Sequence, residues 1–594
     1  MDLHFTAGEP SAEEREAVDG CLAELAPAPG VDRRQYLLPV LRAIQGRAGW
    51  ISPAALNHAC RRLEVPPAEA FGVADFFALL ETRPRPPVAV HVCDDIGCRF
   101  RGGEALCAEM EIIAGPADGR VAWHRSPCLG LCERAPAVLV LAAGDPPREE
   151  AIAPATGDDV RAAIAGRPAK PLDLARSVPQ MGQPGLTLLA RIGRVDPASL
   201  DDYRAAGGFA ALRRAFEMGP ERVVREVIDA KLVGRGGAAF PTGQKWLGVR
   251  STSLPRYLVC NADESEPGTF KDRVLMEGDP FALVEAMTIA GFATGCEKGY
   301  LYIRGEYALA AERLAGALAR CRDRGYLGED ILGDGVRFDI ELRRGAGAYI
   351  CGEETALINS LEGRRGEPRN KPPFPTQVGL FGRPTVINNV ETLANVLPIL
   401  LHGSTAFAST GTERSTGSKL FCLSGHVARP GVYEAPFGIT LRQLLDLAGG
   451  IGGSGRLQAV LLGGAAGAFV TPDELDVPLT FEGTRAIGAS LGSAVVMPFD
   501  DSVDLAQVLL RIARFFRDES CGQCVPCRVG TVRQEEVLAR LSAERPLGSR
   551  DQELHLLREV GQAMRDASIC GLGQTASSAL ESALAKFPVF QETR

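Results

Sequence analysis

Four cysteines in the last part of the chain have the spacing of an iron–sulfur ligand set. Cys521, Cys524 and Cys527 form two successive C-x-x-C spacings, and Cys570 follows in the segment Ser-Ile-Cys-Gly-Leu-Gly. Three thiolates at this spacing can converge on one face of a cluster, and a remote fourth completes the ligand set of a cubane [4Fe–4S] cluster. A structural zinc ion is the alternative, but its four cysteines usually form two separated pairs. The spacing therefore favours the cluster.

A second set of four cysteines lies earlier in the chain, as two pairs. Cys93 and Cys98 enclose four residues, and after 29 further residues Cys128 and Cys132 enclose three. Two pairs suit a [2Fe–2S] centre, because each iron takes two thiolates. Structural zinc remains open on spacing alone. A redox disulfide is disfavoured, since a thioredoxin-type site would be C-x-x-C.

Eight cysteines belong to neither set, and each stands alone in the sequence. Single cysteines in folded proteins usually pack as small apolar side chains, and we expect that of most of these. They lie at positions 21, 60, 107, 260, 296, 321, 351 and 422.

The segment Gly234–Lys245 is dense in glycine and carries two cations, Arg235 and Lys245. Glycine lets the backbone approach a phosphate, which the cations could neutralise. The segment is not the dinucleotide G-x-G-x-x-G because Ala239 takes the last glycine position, and Gln244 excludes a P-loop. It indicates a phosphate site, with a glycine-rich structural turn as the alternative.

Two further loops combine small residues with carboxylates: Asn261–Thr269 and Gly345–Glu354. Carboxylates can accept hydrogen bonds from ribose hydroxyls, as they do in many nucleotide sites. They could also bind Mg²⁺, serve as acid and base, or simply be solvated. Each loop is inconclusive by itself.

Composition narrows the class of protein. The chain has 594 residues, 45% of them hydrophobic and 23% charged, so several ordinary folded domains are expected. A net charge of −9 without a basic block argues against nucleic-acid binding. No apolar run is long enough for a membrane span, and the acidic start is unlike a secretory or transit peptide. Sixteen cysteines without an export signal indicate a reducing cytoplasm.

The elements that must position these residues alternate between helix and strand. Leu37, Leu38, Leu41 and Ile44 have helical spacing, and a second helix should begin near Pro53. We expect strands at 88–92, 137–142, 256–259, 299–303, 419–424 and 459–462, and a helix at 441–448. From residue 503 onward the apolar spacing is helical, which predicts a terminal bundle.

Taken together, the motifs resemble the flavin-carrying, NADH-binding subunit of respiratory Complex I. The same subunit type occurs in NAD-linked hydrogenases and in NAD-dependent formate dehydrogenases. The resemblance covers about residues 200–594, and residues 30–165 resemble a second Complex I subunit, the thioredoxin-like [2Fe–2S] protein, fused here into one chain. The segments that carry it are Gly234–Trp246, Asn261–Arg273, Gly345–Glu354, Lys371–Pro375, Asn388–Thr392 and the cysteines of both sets.

The resemblance implies an α/β multidomain fold. The expected segments are a helical N-terminus (1–86), a thioredoxin-like [2Fe–2S] domain (87–165), a linker with helical lead-in (166–225), a Rossmann-like FMN- and NADH-binding domain (226–414), a β-grasp, SLBB-like domain (415–502) and a helical bundle with the [4Fe–4S] cluster (503–594).

The family also implies which residues hold the nucleotides. FMN is expected at Gly234, Arg235, Gly236, Gly237, Lys245, Asn261, Asp263, Glu264, Tyr349, Gly352, Glu353, Asn388, Asn389 and Thr392. NADH is expected at the aromatic rings of Phe240 and Phe374 and at the polar groups of Glu266, Glu354 and Lys371. One position departs from the pattern: Gly248 stands where some relatives carry another aromatic residue.

The implied chemistry is hydride exchange between NAD(H) and FMN, followed by single-electron transfer through the clusters, without a side-chain nucleophile. The Cys93 set is expected across the flavin from the Cys521 set, as a side store of electrons. The favoured partner is the catalytic subunit of a formate dehydrogenase, because the fusion and the segments Asp202–Gly208 and Arg565–Gln574 resemble its β subunit. A hydrogenase module is second and Complex I third. A zinc scaffold and a flavin-dependent hydrolase or transferase are alternatives of other classes.

Overall fold

The computed structural model describes residues 8–27, 30–113, 119 and 121–590. The first seven residues of the acidic start, considered above as a targeting segment, lie outside the described residues. Among the helices of the described part, none is both long and apolar enough to cross a membrane.

The N-terminal part is helical, as predicted. Its helices are α1 (Ala12–Leu25), α2 (Leu37–Ala48), α3 (Pro53–Leu63) and α4 (Pro67–Ala74). Leu37, Leu41 and Ile44 of α2 are fully buried, which explains their helical spacing. Helix α3 begins at Pro53 because the Ser52 side chain accepts a hydrogen bond from the Ala55 N–H at 3.1 Å.

A small α/β unit follows. Its elements are β1 (Val88–Cys93), α5 (Ile96–Cys98), α6 (Glu104–Ile113), β2 (Val121–Ser126), β3 (Val138–Ala142), β4 (Arg148–Ile152) and α7 (Gly157–Ile164). The strand order is β2-β1-β3-β4, with β1 and β2 parallel and the other pairs antiparallel. Cys93 is the last residue of β1, an inner strand, so the sheet fixes the position of the first predicted ligand.

The segment between this unit and the central domain is poor in regular structure at first and helical later. It contains α8 (Leu174–Ser177), α9 (Leu200–Ala205), α10 (Ala210–Met218) and α11 (Pro220–Asp229). Helix α10 packs against the long helix of the central domain, and the buried Glu285 of that helix accepts hydrogen bonds from the N–H groups of Phe209 and Leu212.

The central domain is built on a parallel sheet. Its elements are α12 (Thr242–Arg250), β5 (Tyr257–Ala262), α13 (Lys271–Gly278), α14 (Pro280–Thr294), β6 (Lys298–Ile303), α15 (Ala308–Asp323), β7 (Asp339–Arg344), α16 (Glu354–Leu361), β8 (Thr385–Asn389), α17 (Val390–Ala394), α18 (Val396–His402) and α19 (Ser404–Ala408). The strands lie in the order β7-β6-β5-β8, and all of them are parallel. Successive strands are added on one side of β5 as far as β7, and β8 then lies on the other side, so the strand order reverses between β5 and β8. Such sheets bind ligands beyond the carboxyl ends of the strands at this reversal.

A mixed five-stranded sheet forms the next domain. Its elements are β9 (Ser418–Leu423), β10 (Gly431–Pro436), α20 (Leu441–Leu447), β11 (Leu457–Leu462), β12 (Ala468–Val470), α21 (Phe481–Ala486) and β13 (Val495–Asp500). The strand order is β10-β9-β13-β11-β12, with β9 and β13 parallel. The predicted strands and the predicted helix of this region are present, with boundaries that differ by one or two residues.

The chain ends in helices, as the apolar spacing predicts. They are α22 (Leu505–Asp518), α23 (Val525–Ser542), α24 (Arg550–Ala567), α25 (Gly571–Thr575) and α26 (Ser578–Lys586). Helix α23 packs against both α22 and α24, and α26 packs against β12 of the preceding domain. Cys524 and Cys527 lie at the start of α23, while Cys570 directly precedes α25.

Candidate functional site

A cavity of about 430 Å³ lies beyond the carboxyl ends of β5 and β8. It is large enough for part or all of a nucleotide-sized ligand. Ten of the predicted binding residues line it: Gly236, Gly237, Asn261, Asp263, Glu264, Glu266, Tyr349, Gly352, Glu353 and Asn389. The predicted residues therefore line a cavity at the point between β5 and β8 where the strand order reverses.

The glycine loop forms one side of the cavity. Gly237 has φ +119°, a backbone conformation that side chains disfavour, and a Cβ there would face the backbone of Gly492 at 3.6 Å. The backbone conformation therefore favours glycine at 237, and the loop's backbone borders the cavity. The loop is anchored to helix α17, because the Arg235 N–H donates to the Thr392 hydroxyl at 2.8 Å.

The strand ends supply amides and carboxylates. Asn261, at the end of β5, donates from Nδ2 to the Gly352 carbonyl at 2.9 Å, which joins two of the predicted loops. Asp263 lines the cavity, and its Oδ2 has no hydrogen-bond partner among the residues the structure describes. An unpaired carboxylate oxygen in a cavity wall is suited to a ligand N–H or O–H.

Glu264 has a structural role in addition to its place on the wall. Its carboxylate accepts the N–H groups of Asp272 and Arg273 at 2.8 and 2.9 Å, and so it caps the start of α13. Burial raises the pKa of Glu264 to about 8. The two hydrogen bonds from α13 to Glu264 orient the helix, whose first two residues, Lys271 and Asp272, also line the cavity.

Those two residues, Lys271 and Asp272, were not among the sequence predictions. The Lys271 ammonium lies 2.7 Å from Asp272 Oδ1 and 3.0 Å from Glu391 Oε2, and the three side chains are almost fully buried. Glu391 also pairs with the buried Lys419 of β9. Lys271 thus places a buried cation on the cavity wall, in a network that reaches the next domain.

Arg235 and Lys245, the two cations expected to neutralise a phosphate, are not on the cavity wall. The Arg235 guanidinium is buried, donates to the Thr416 carbonyl at 2.6 Å and lies 4.7 Å from the centre of the Phe437 ring. Lys245 donates to the Ile387 carbonyl at 3.1 Å. Both side chains thus donate to backbone carbonyls outside the cavity wall.

Asn388 and Thr392 also lie behind the cavity. Asn388 accepts a 2.8 Å hydrogen bond from the Trp246 indole N–H, which fixes α12 on the sheet. Thr392 supports the glycine loop through Arg235, as described above. These two residues position the wall without lining it.

Lys371 and Glu354, two of the expected NADH residues, form a rim beside Glu353. The Lys371 ammonium lies 2.8 Å from Glu353 Oε1 and 2.9 Å from Glu354 Oε1. Glu354 Oε2 is also 3.8 Å from Lys245 Nζ, which lies 5.7 Å from the centre of the Phe240 ring. Phe240 and Phe374 are 54% and 51% exposed, so both rings are accessible to a ligand. Among the described residues, no atom lies within 4 Å of a Cβ built at Gly248, so the missing aromatic leaves open space.

Two other domains complete the cavity wall, and sequence reasoning missed both. The domain of β9–β13 contributes Gly463, Ala466, Ser490, Gly492 and Ser493. The helical end contributes Gly571, Leu572 and Thr575, which follow Cys570 in the sequence. The residues of the helical end could have been predicted from the sequence, because they directly follow Cys570, a predicted cluster ligand.

The Cys93 set is buried and its thiols are neighbours. The sulfurs of Cys128 and Cys132 are 3.3 Å apart. Contacts with Cys128 and Cys98, together with burial, raise the pKa of Cys93, whereas hydrogen bonds from Cys132 and Cys93 lower that of Cys128. The four thiols can therefore reach one small group.

The Cys521 set gathers at the start of α23 and α25. Burial, with a contribution from the neighbouring thiols of Cys524 and Cys521, raises the pKa of Cys527 to about 11. Burial likewise raises the pKa of Cys570 to about 12, and Cys521 contributes. In the described part of the chain, no three His, Cys, Asp or Glu side chains are arranged to hold a single metal ion.

Four segments match known protein families. Residues 227–398 match the Nuo51 FMN-binding domain, and residues 507–593 match the NADH-ubiquinone oxidoreductase-F iron-sulfur binding region. Residues 23–153 match the thioredoxin-like [2Fe-2S] ferredoxin, and residues 420–465 match the SLBB domain.

The F 2 subunit of NADH-quinone oxidoreductase in Rhizobium meliloti (strain 1021) is 46% identical over 404 residues, which are 67% of this chain and 95% of that protein. This chain belongs to the NADH-quinone oxidoreductase F-subunit family. NADP-reducing hydrogenase subunit HndC of Solidesulfovibrio fructosivorans is 43% identical over 397 residues, or 66% of this chain and 80% of the relative. A chain of NAD⁺-reducing [NiFe]-hydrogenase in the air-oxidized state matches with a TM-score of 0.80 and 33% identity, over 94% of each chain.

The family matches together confirm the resemblance and the cofactors that were predicted: FMN, NAD(H), one [4Fe–4S] cluster and one [2Fe–2S] cluster. Each cysteine set lies within an iron–sulfur match, which overturns the zinc scaffold as an interpretation of the chain. The thioredoxin-like, FMN-binding and SLBB domains of the predicted fold are likewise confirmed.

Proposed function

We propose that this chain is the NAD(H)-oxidoreducing diaphorase subunit of a larger complex, with FMN bound in the cavity beyond β5 and β8. The position of the cavity carries the proposal. Its wall joins the strand ends of the FMN-binding domain to Gly571 and Leu572, which follow the cluster cysteine Cys570. A flavin held there would be next to the residues that lead to the [4Fe–4S] site.

The residues of the cavity fit a flavin nucleotide. Gly236 and Gly237 allow close backbone approach, and Asn261 and Asn389 border the same space. The unpaired Oδ2 of Asp263 offers an acceptor for a flavin N–H. Bound FMN supplies the exchange between the two-electron chemistry of NAD(H) and the one-electron chemistry of iron–sulfur clusters. The chain's part is to bind, orient and shield it.

We assign the dinucleotide to the rim beside Glu353. The exposed rings of Phe240 and Phe374 offer faces for an adenine, and stacking on an aromatic face is favourable. Glu266, Glu354 and Lys371 would contact the ribose and phosphate groups. The two carboxylates favour NADH over NADPH, because each would repel a 2′-phosphate.

The proposed cluster ligands are the two cysteine sets. Cys93, Cys98, Cys128 and Cys132 would hold the [2Fe–2S] cluster, and Cys521, Cys524, Cys527 and Cys570 the [4Fe–4S] cluster. The closeness of the thiols within each set supports this assignment. The second set is proposed as the electron exit and the first as a side store.

For the partner we propose the catalytic subunit of a formate dehydrogenase in the cytoplasm. The support is the sequence resemblance at Asp202–Gly208 and Arg565–Gln574, together with a complete Cys93 set. The similarity over 94% of both chains to a chain of NAD⁺-reducing [NiFe]-hydrogenase favours a hydrogenase module as second candidate.

The test is anaerobic purification with quantification of FMN, iron, sulfide and zinc, followed by EPR after NADH reduction. We expect about one FMN and about six irons per chain, with signals of both cluster types. Cys132→Ala should lose only the [2Fe–2S] signal and Cys570→Ala only the [4Fe–4S] signal. Cys60→Ala, a buried cysteine outside both sets, is the matched control. Zinc without flavin would refute the proposal.

The partner is identified by the subunits that co-purify from the native source and by the donor that reduces NAD⁺. Formate-dependent NAD⁺ reduction with molybdenum or tungsten in the complex supports the first candidate. Hydrogen-dependent reduction with nickel supports the second and contradicts the first.

A further inference from the structure

We propose that the loop Gly463–Gly467, in the SLBB-type domain, positions the carboxylate of Glu266, so that this domain forms part of the dinucleotide site. The inference rests on the proposed function, because it assumes that Glu266 contacts NAD(H). It concerns a domain that follows the FMN-binding domain in the chain and that contributes none of the binding residues predicted from the sequence.

Both oxygens of the Glu266 carboxylate are held, and by different domains. The Ala466 N–H donates to Oε1 at 2.9 Å, and the Tyr349 hydroxyl donates to Oε2 at 2.5 Å. Hydrogen bonds to a carboxylate are stronger than those between neutral groups. Two such bonds, one to each oxygen, restrict the side chain to one orientation, and one of them comes from the loop.

Gly464 allows the carboxylate to take this place. It has φ +87°, and a Cβ built on it would lie 2.5 Å from Glu266 Oε1 and 2.6 Å from Glu266 Cγ. Any side chain at 464 would therefore have to displace Glu266 as well as adopt an unfavourable backbone conformation. The absence of a side chain is what brings the Ala466 N–H within reach.

The loop is itself fixed. It connects β11 to β12, two antiparallel neighbours, and the Gly463 N–H donates to the Val495 carbonyl at 2.9 Å. Beside it, the hydroxyls of Ser493 and Thr269 are 2.6 Å apart, which ties the domain to the Glu266 loop a second time. A loop anchored in a sheet can hold a side chain more precisely than a free loop can.

The test compares Gly464→Ala with Gly453→Ala in the FMN- and cluster-loaded protein. Gly453 has φ +81°, and a Cβ there meets nothing within 4 Å in the described part of the chain, so it has the same backbone strain without the contact. With ferricyanide as acceptor, we expect KM for NADH to rise about tenfold in Gly464→Ala, the equivalent of one lost charge-assisted hydrogen bond, with kcat within about twofold. The preference for NADH over NADPH should fall, whereas Gly453→Ala should match the wild type.

A double-mutant cycle separates the contact from general loss of structure. In a Glu266→Ala background, the added methyl group meets no carboxylate, so Gly464→Ala should leave KM unchanged. If Gly464→Ala raises KM equally in both backgrounds, or behaves like Gly453→Ala, the inference is wrong while the proposed function stands. A loaded wild-type protein that does not oxidise NADH overturns both.

Discussion

Arg304 donates a hydrogen bond from its guanidinium to the backbone carbonyl of Cys128, at 2.7 Å. The same guanidinium donates to the carbonyl of Glu264 at 2.8 Å, and its charge is balanced by Glu306 at 2.7 Å. Glu264 lies on the cavity wall, and Cys128 is a proposed ligand of the [2Fe–2S] cluster. One buried cation thus connects the proposed flavin cavity to the proposed site of the N-terminal cluster.

Replacing this cation should change the reduction potential of the N-terminal cluster. A nearby positive charge favours the reduced, more negative cluster, so Arg304→Gln should lower its potential, by roughly 50–100 mV for one charge at an effective dielectric constant of about 20. The reduction potential is measured by a redox titration in which the EPR signal of the [2Fe–2S] cluster is recorded at each potential. Arg304→Lys retains the charge but cannot reach both carbonyls, so it should shift the potential less. An unchanged potential in Arg304→Gln would contradict the electrostatic link.

The fold was predictable where a local pattern carries the information. Leu37, Leu41 and Ile44 recur at helical spacing because all three face the core, and Pro53 follows a capping serine. The strand boundaries were less accurate: β11 starts at Leu457 rather than at residue 459, since Leu457 and Gln458 are only partly buried and Gln458 interrupts the apolar run.

The sequence predicted only the part of the site that lies at the ends of neighbouring strands in the central sheet. Asn261, Asp263 and Asn389 follow or end adjacent parallel strands, so the sheet brings them together. Lys271 was missed because a lysine is expected at the surface and here is buried by its partners. Ala466 contributes a backbone N–H from a hairpin 200 residues away, which no local pattern can indicate.

Removing the buried Lys271 cation from the cavity wall should destabilise the central domain. Lys271→Met leaves Asp272 without its ion-pair partner and Glu391 with only Lys419, and breaking a buried pair typically costs about 3–5 kcal/mol. We expect the thermal midpoint to fall by about 10 °C and less FMN to be retained. Lys298→Met is the control, because Lys298 pairs with Asp339 at the partly exposed sheet edge. Equal losses in both variants would argue against the network.

Selectivity between NADH and NADPH should depend on pH through Glu266. Burial raises the pKa of this carboxyl to about 7, so it is mostly protonated below that pH and ionised above it. Because only the ionised form repels a 2′-phosphate, the ratio of kcat/KM for NADH to that for NADPH should rise as pH increases from about 6 to about 8. The 2′-phosphate also titrates near pH 6, and so Glu266→Gln is needed as the reference. The same rise in Glu266→Gln would exclude Glu266 as its cause.

Charge reversal at Glu354 tests the placement of the dinucleotide. Glu354 lies between two ammonium groups, 3.8 Å from that of Lys245 and 2.9 Å from that of Lys371. Glu354→Lys would gather three cations and remove the acceptor for a ribose hydroxyl, so NADH oxidation should fall at least about tenfold. FMN and iron contents should remain at wild-type levels, because Glu354 does not line the cavity.

Two comparisons make that result specific. Glu354→Gln keeps the shape without the charge and should lie between the wild type and Glu354→Lys. Glu329→Lys, at a site where the carboxylate is 80% exposed, makes the same charge change at a residue that is in neither helix α16 nor the cavity wall and should leave KM unchanged. Full NADH activity in Glu354→Lys would mean that the dinucleotide does not bind at the rim beside Glu353.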